Sequence, residues 1–428
     1  MQIRRLNSEE RFFYFLEKWF NFSPILKATL KGEIDVALLK QSLVLVQSNH
    51  KLLNVIIKQV NLDVFFYSGT KPIEITVLNK KNASQWQQEA FKISKKKFDV
   101  KNGPLIKAVF LFSPENNLHD LILIGHHSII DFQSVLILFR DLIKQYRLLK
   151  NDGKIISLVR NKVNEIVNSD EQDIASNSFG RKWFPSVTCH VFEKIFDEKA
   201  TDKIKNFIKK ENATWLSFFS MMIRRAIKSN LNKEYAKISL PINLRGILEP
   251  KPDEEVGCHI SLFSEIKSPY CENDEAYNVT AQYKRFFNRL FYNFIKNFSK
   301  NKMYAKQNLK EKIYYSYLII DLWVKNKIRK LFRLDHMGFM LINNGGDLSW
   351  NKTEDDFYPE EINWTFDSTM DERKNSYLNF VILNNKLNIT FTTTLAEKNA
   401  RKIFEEFVGE FENRIDLNPS SMQKDFSK

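Results

Sequence analysis

The 428-residue chain reads as an α/β protein built in two halves. Three observations carry that reading. Helical and strand-like periodicities alternate along the chain, with no short-period repeat. Leu121–Ile124 is a continuous apolar run bounded by a turn, the pattern of a central strand buried on both faces. From about Leu158 to Ser186 the periodicity gives way to a polar stretch containing NSDEQDIASNS, with turn residues around Gly180 and Pro185, which reads as a linker.

The elements follow in order. Glu9–Phe20 is an amphipathic helix rich in Phe and Trp, and Val36–Ser48 is a second, followed by a strand at Leu52–Val60. Trp86–Lys95 is helical; Leu105–Phe112 and Leu121–Gly125 are strands. Phe132–Leu149 is a helix with Val135, Leu136, Phe139, Leu142, Ile143 and Tyr146 on one face and Asp131 placed as its N-cap. Beyond the linker come a strand at His190–Ile195, helices at Thr201–Lys210 and Leu216–Asn230, and a strand at Lys237–Pro241. Strands near Phe339–Ile342, Tyr377–Leu383 and Leu387–Thr393 precede a last helix at Ala396–Ile415.

Composition narrows the class. Hydrophobic residues at 43% and charged residues at 27% fit a globular protein with its own core. Three scattered cysteines, Cys189, Cys258 and Cys271, form neither a disulfide framework nor a zinc motif. The start, MQIRRLNSEERFF, has no apolar region of a secretory signal, and no stretch of about 18 apolar residues reads as a membrane span. A cytoplasmic protein is expected, with peripheral membrane contact left open.

The net charge of +14 is local. Between Lys284 and Arg333, fourteen Lys and Arg face only Glu311 and Asp321, so this segment holds +12 of the total. In it Phe287, Leu290, Phe291, Phe294 and Phe298 recur at helical spacing opposite Arg285, Arg289, Lys296 and Lys300. A helix packed on a core with a solvated basic face and a helix lying on an anionic membrane both fit. No nucleic-acid motif accompanies the charge, and no nucleic-acid partner is expected.

Chemistry candidates are few. There is no HExxH, GxSxG, Walker A or GxGxxG pattern and no metal-ligand spacing. What remains is His126-His127-Ser-Ile-Ile-Asp131, at the end of the buried strand and the start of a helix. A neutral imidazole there can take a proton from a hydroxyl or amine, and a nearby carboxylate can fix its surroundings. Two histidines ending a strand beside a plain helix cap would look the same.

The motif resembles the HHxxxDG signature of the condensation-domain and CoA-dependent acyltransferase superfamily, which includes polyketide-associated and alcohol acyltransferases. Phe98-Asp99-Val100 and Gly103-Pro104-Leu105 resemble the FDL and GPL stretch that precedes it in that family. Ala213-Thr214-Trp-Leu-Ser217, leading into Met221–Ile227, resembles a helix entry further on, and Pro241-Ile-Asn-Leu-Arg245 the NLR segment. Gly257–Ser261 and Asn343–Gly346 resemble a strand start and a late turn, all in the family's order.

The resemblance implies two chloramphenicol-acetyltransferase-like halves forming a V with a central tunnel, here residues 1–175 and 187–428. It implies His127 as general base, His126 as support, and Asp131 bridged to Arg245. Phe132, Ser261 and Asn344 are candidate tunnel-lining residues. No bound cofactor or metal is expected; an acyl-CoA or acyl-carrier-protein thioester is the donor substrate and an alcohol the acceptor. An amide-forming condensation enzyme and a catalytically silent partner-binding protein are the alternatives. The family's closing Gly is Phe132 here, so a ring stands where the relatives leave room.

Overall fold

Asn7 and Glu10 start the first helix by capping each other: the Asn7 side chain accepts the Glu10 N–H at 2.8 Å, and the Glu10 carboxylate accepts the Asn7 N–H at 2.7 Å. This reciprocal pair satisfies donors that a helix start otherwise leaves open. The structure is a computed structural model that describes residues 1–19, 22–60, 63–151, 188–231, 237–246, 252, 254–264, 337–350, 357–367 and 374–416. The expected linker and the basic segment 284–333 lie outside the described residues.

The N-terminal half runs β1 (Gln2–Arg5), α1 (Ser8–Trp19), β2 (Pro24–Lys31), α2 (Val36–Asn49), a 3-10 turn (Lys51–Asn54), β3 (Val55–Val60), β4 (Asp63–Ser68), β5 (Ile75–Asn79), α3 (Gln85–Ser94), β6 (Ile106–Phe112), β7 (Leu118–Gly125) and α4 (Phe132–Asn151). The C-terminal half runs β8 (His190–Phe196), α5 (Glu198–Lys210), α6 (Trp215–Leu231), β9 (Lys237–Asn243), β10 (Ile260–Ser264), β11 (Met337–Leu348), β12 (Tyr358–Phe366), β13 (Lys374–Leu383), β14 (Lys386–Thr393) and α7 (Glu397–Asp416).

These strands form three sheets, ordered β1-β4-β3, β12-β2-β7-β6-β5 and β10-β9-β11-β13-β14-β8. The five-stranded sheet carries the histidine pair at the end of β7, its second-to-none buried strand, in which Leu121–Ile124 are all 2% exposed or less. Helices α2 and α4 contact each other on one side, and the Tyr146 hydroxyl accepts the Asp35 N–H at 2.8 Å. On the opposite face Trp86 and Ala90 of α3 pack on Ile25, Ile122 and Ile124. The six-stranded sheet packs against α5, α6 and α7 through rings such as Phe219, which stacks on Phe380 at 4.1 Å.

Each helix and strand read from the sequence within the described residues is present, with ends shifted by a few residues. Leu52–Val60 divides into the 3-10 turn and β3. The strand start expected at Gly257–Ser261 is β10, and the sequence reading passed over β1, β2, β4, β5 and β12. The last matters most: β12 comes from the C-terminal half yet pairs antiparallel with β2, so it closes the edge of the N-terminal half's sheet. Its neighbour β13 begins only a few residues later and returns to the six-stranded sheet. No helix among the described residues is long and apolar enough to cross a membrane.

Candidate active site

Gly125 ends β7 because the chain must fold back on itself there. A Cβ at Gly125 would lie 2.3 Å from Ile130 Cγ2, so only a glycine lets Ile130 close over the strand end. The resulting loop, from His126 to Asp131, is buried throughout.

His127 has a defined tautomer. Its Nδ1 lies 2.9 Å from the Ile130 carbonyl oxygen, which can only accept, so Nδ1 carries the proton and Nε2 the lone pair. The ring stacks on Phe13 at 3.7 Å and lies 5.8 Å from Phe22 and 5.7 Å from Phe366. Burial among these rings lowers its pKa to about 4, against the opposing pull of the Ile130 carbonyl and the Asp131 charge. The imidazole is therefore neutral at pH 7.

His126 faces the other way. Its main-chain N–H donates to the Leu105 carbonyl at 2.9 Å and its Nδ1 accepts the Ser128 N–H at 3.2 Å. Burial first, then the His127 and Lys107 charges, lower its pKa to about 3. Beneath the pair lies the carboxylate of Glu17, whose Oε1 accepts the His127 N–H at 2.8 Å.

Asp131 caps α4 and bridges to Arg245. Its Oδ1 accepts the Ser134 N–H at 2.7 Å and Arg245 Nη2 at 3.1 Å. Its Oδ2 accepts Arg245 Nη1 at 2.8 Å and the His259 N–H at 2.9 Å. Burial alone would raise the Asp131 pKa, but the Arg245 charge and these hydrogen bonds leave it below the usual carboxylate value. Arg245 also donates to Ser134 Oγ at 2.8 Å and the Glu255 carbonyl at 3.2 Å. The ion pair is thus buried but nearly saturated, the condition under which a buried pair is tolerated.

The three other candidates are placed differently. Phe132 is half-buried and stacks on Trp364 of β12 at 4.1 Å. Asn344 is exposed, and its Oδ1 accepts the Gly346 N–H at 2.8 Å; the late turn expected at Asn343–Gly346 is instead an irregularity within β11, where the register with β13 shifts. Ser261 lies on β10, and its side chain is outside the described residues. The structure therefore gathers His126, His127, Asp131 and Arg245 into one buried cluster, with Phe132 adjoining it through the α4 start.

Sequence reading missed Glu17, Phe13, Phe22, Ser134, Lys107 and Phe366. Nothing local marks Glu17, which meets His127 across 110 positions. Of the other described histidines, His119 bonds to the Gly32 carbonyl at 3.1 Å and His50 to Asp141 at 2.9 Å.

Residues 13–179 match the family model described as Condensation domain. No curated protein matches the sequence. Among solved structures, the fold is similar to the first condensation domain of the calcium-dependent antibiotic synthetase, at 10% identity over 97% of each chain with a TM-score of 0.64. A trichothecene 15-O-acetyltransferase from Fusarium sporotrichioides is similar at 12% identity over 97% of this chain and 95% of that one, with a TM-score of 0.65. Polyketide synthase associated protein 5 from Mycobacterium tuberculosis is similar at 12% identity over 97% and 98%, with a TM-score of 0.61. The two-lobed α/β fold and the resemblance to the condensation-domain and acyltransferase superfamily both hold. At such identities the structural likeness is one of fold.

Proposed function

We propose, from the Condensation domain match and the acyltransferase-type fold, that the chain is an acyltransferase using a thioester donor and an alcohol acceptor. The observation that carries the reading is the His127 tautomer, with Nδ1–H held by the Ile130 carbonyl at 2.9 Å and the lone pair on Nε2. In the step proposed, Nε2 takes the acceptor's O–H proton as its oxygen attacks the thioester carbonyl. The tetrahedral intermediate collapses with loss of the C–S bond, and the imidazolium returns the proton to the departing thiolate. No acyl-enzyme forms. Asp131 and Arg245 hold the loop without touching substrate.

The donor is acyl-CoA or a carrier-protein thioester. The +12 carried by 284–333 in the sequence suits the anionic end of such a donor or a lipid headgroup layer. Residues 1–175 and 187–428 are proposed as the two lobes that meet around the passage to His127.

The test is mass spectrometry of the protein incubated with acyl-CoA and acyl-pantetheine donors and a panel of alcohols and extracted lipids. His127→Ala should lower transfer by about 10²–10⁴-fold, the usual contribution of a general base. Because burial places the His127 pKa at about 4, the base stays competent above that value. The wild-type rate should not fall with the half-point near 6.5 that an exposed histidine gives. Unchanged transfer in His127→Ala would remove His127 as the base.

A further inference from the structure

Glu17 closes α1 directly beneath the histidine loop, and its side chain is only 7% exposed. Its Oε1 holds the His127 main-chain N–H at 2.8 Å, and its Oε2 lies 3.6 Å from His126 Nε2. The Ser23 hydroxyl also bonds to it. Because Ser128 N–H donates to His126 Nδ1, a neutral His126 must carry its proton on Nε2, the nitrogen turned towards Glu17. One carboxylate thus meets a donor from each histidine of the pair.

Charged groups face this carboxylate from several elements. Lys107 of β6 lies over the Phe98 ring at 4.1 Å and donates to the carbonyls of Ile93, at 3.2 Å, and Lys96. Asp367, just beyond β12, accepts the Ser94 hydroxyl at 2.5 Å. The side-chain charge of Lys96 acts on Lys107 in turn.

We propose that Glu17 is a positioning residue for the histidine pair. When ionised it draws in the His127 N–H and the His126 Nε2–H together; when neutral it loosens both, so the setting of the His127 ring follows the charge on Glu17. This deepens the role proposed for His127, but it rests on the geometry of the loop and is tested without any substrate.

The surroundings place that change of charge in a useful range. Burial raises the Glu17 pKa to about 8, opposed by the His127 N–H, the Lys107 charge and Ser23 and reinforced by Asp367. Burial lowers Lys107 to about 8, opposed by the Glu17 charge, while Lys96 lowers it further. The histidines themselves protonate at about 3 and 4, so they stay neutral while Glu17 titrates.

The experiment is long-range proton–nitrogen NMR of full-length protein labelled with ¹⁵N-histidine, titrated between about pH 6 and 10. In the wild type, His126 should show the Nε2–H tautomer, and both rings should shift in one step near pH 8 while remaining neutral. In Glu17→Gln, which keeps the shape but not the charge, that step should vanish. Flat curves for both rings in the wild type overturn the proposal. A step that survives in Glu17→Gln also overturns it, since Lys107 would then be its source. If Glu17→Gln does not fold, Lys107→Gln decides: the step should persist there, moved to higher pH by loss of the Lys107 charge, and its disappearance overturns the proposal. Loss of acyl transfer has no part in this readout, so failure here and failure of the acyltransferase reading are separate results.

Discussion

Asp131 shows how much one carboxylate can organise. Each of its oxygens accepts two hydrogen bonds, and their donors come from the start of α4, from Arg245 after β9 and from His259 before β10. Removing the cation leaves that charge buried with half its donors, a loss of about 3–5 kcal/mol for a pair of this kind. Arg245→Met should therefore lower the unfolding free energy by that amount, read as a fall in the urea midpoint at unchanged slope, and Arg245→Lys should recover only part of it. A point ammonium cannot span both oxygens as the guanidinium fork does. These residues stand out in the sequence because motif spacing marks them. Glu17, Lys107 and Asp367 do not, because their partners lie in other segments and each taken alone is an ordinary surface-type residue.

At the level of elements, the Phe that replaces the motif's Gly is accommodated by a Gly elsewhere. A Cβ on Gly345 of β11 would lie 2.7 and 2.9 Å from Phe132 Cε1 and Cζ and 2.9 Å from Val381 Cβ. Gly345→Ala should cost about 1–3 kcal/mol through overpacking, read as a drop in melting temperature. In the Phe132→Leu background the penalty should shrink without vanishing, because Val381 remains. A double-mutant cycle with no coupling would show that the ring does not depend on that space.

The same scale explains which strands were legible. β7 declares itself by an unbroken apolar run, whereas β2 contains Lys27 and Thr29. Lys27 is 5% exposed, paired with Glu361 at 3.2 Å and held over the Trp86 ring. Thr29 donates to Asp120 at 2.8 Å. β12 carries Glu361 and Asn363 for the same reason: Glu361 pairs with Lys27 of β2, and the Asn363 amide donates to Thr390 of β14 at 3.4 Å. Local periodicity registers a charge in a strand as an argument for a loop, and only the distant partner reverses it.

For the whole molecule, the exchange of β12 matters more than the count of sheets. The alternation of elements was enough to read two halves, but a strand that leaves one half to complete the other has no local signature. Without it, β2 would present unpaired N–H and C=O groups at an apolar edge, and such edges aggregate. Residues 1–175 expressed alone should be insoluble, and co-expression of 187–428 should raise their soluble yield. Full solubility of 1–175 alone would show that the β2 edge needs no such cover.

The position of β12 also has a consequence for how the protein is made. β7, with the histidines at its end, leaves the ribosome more than 230 residues before β12. At about 5–20 residues per second that interval is on the order of 10–50 s. During it the N-terminal sheet is synthesised but lacks its last strand, and Trp364 and Phe366, which pack beside Phe132 and His127, do not yet exist. The surroundings of His127 are therefore assembled late in translation, and the nascent first half spends that interval with its β2 edge uncovered.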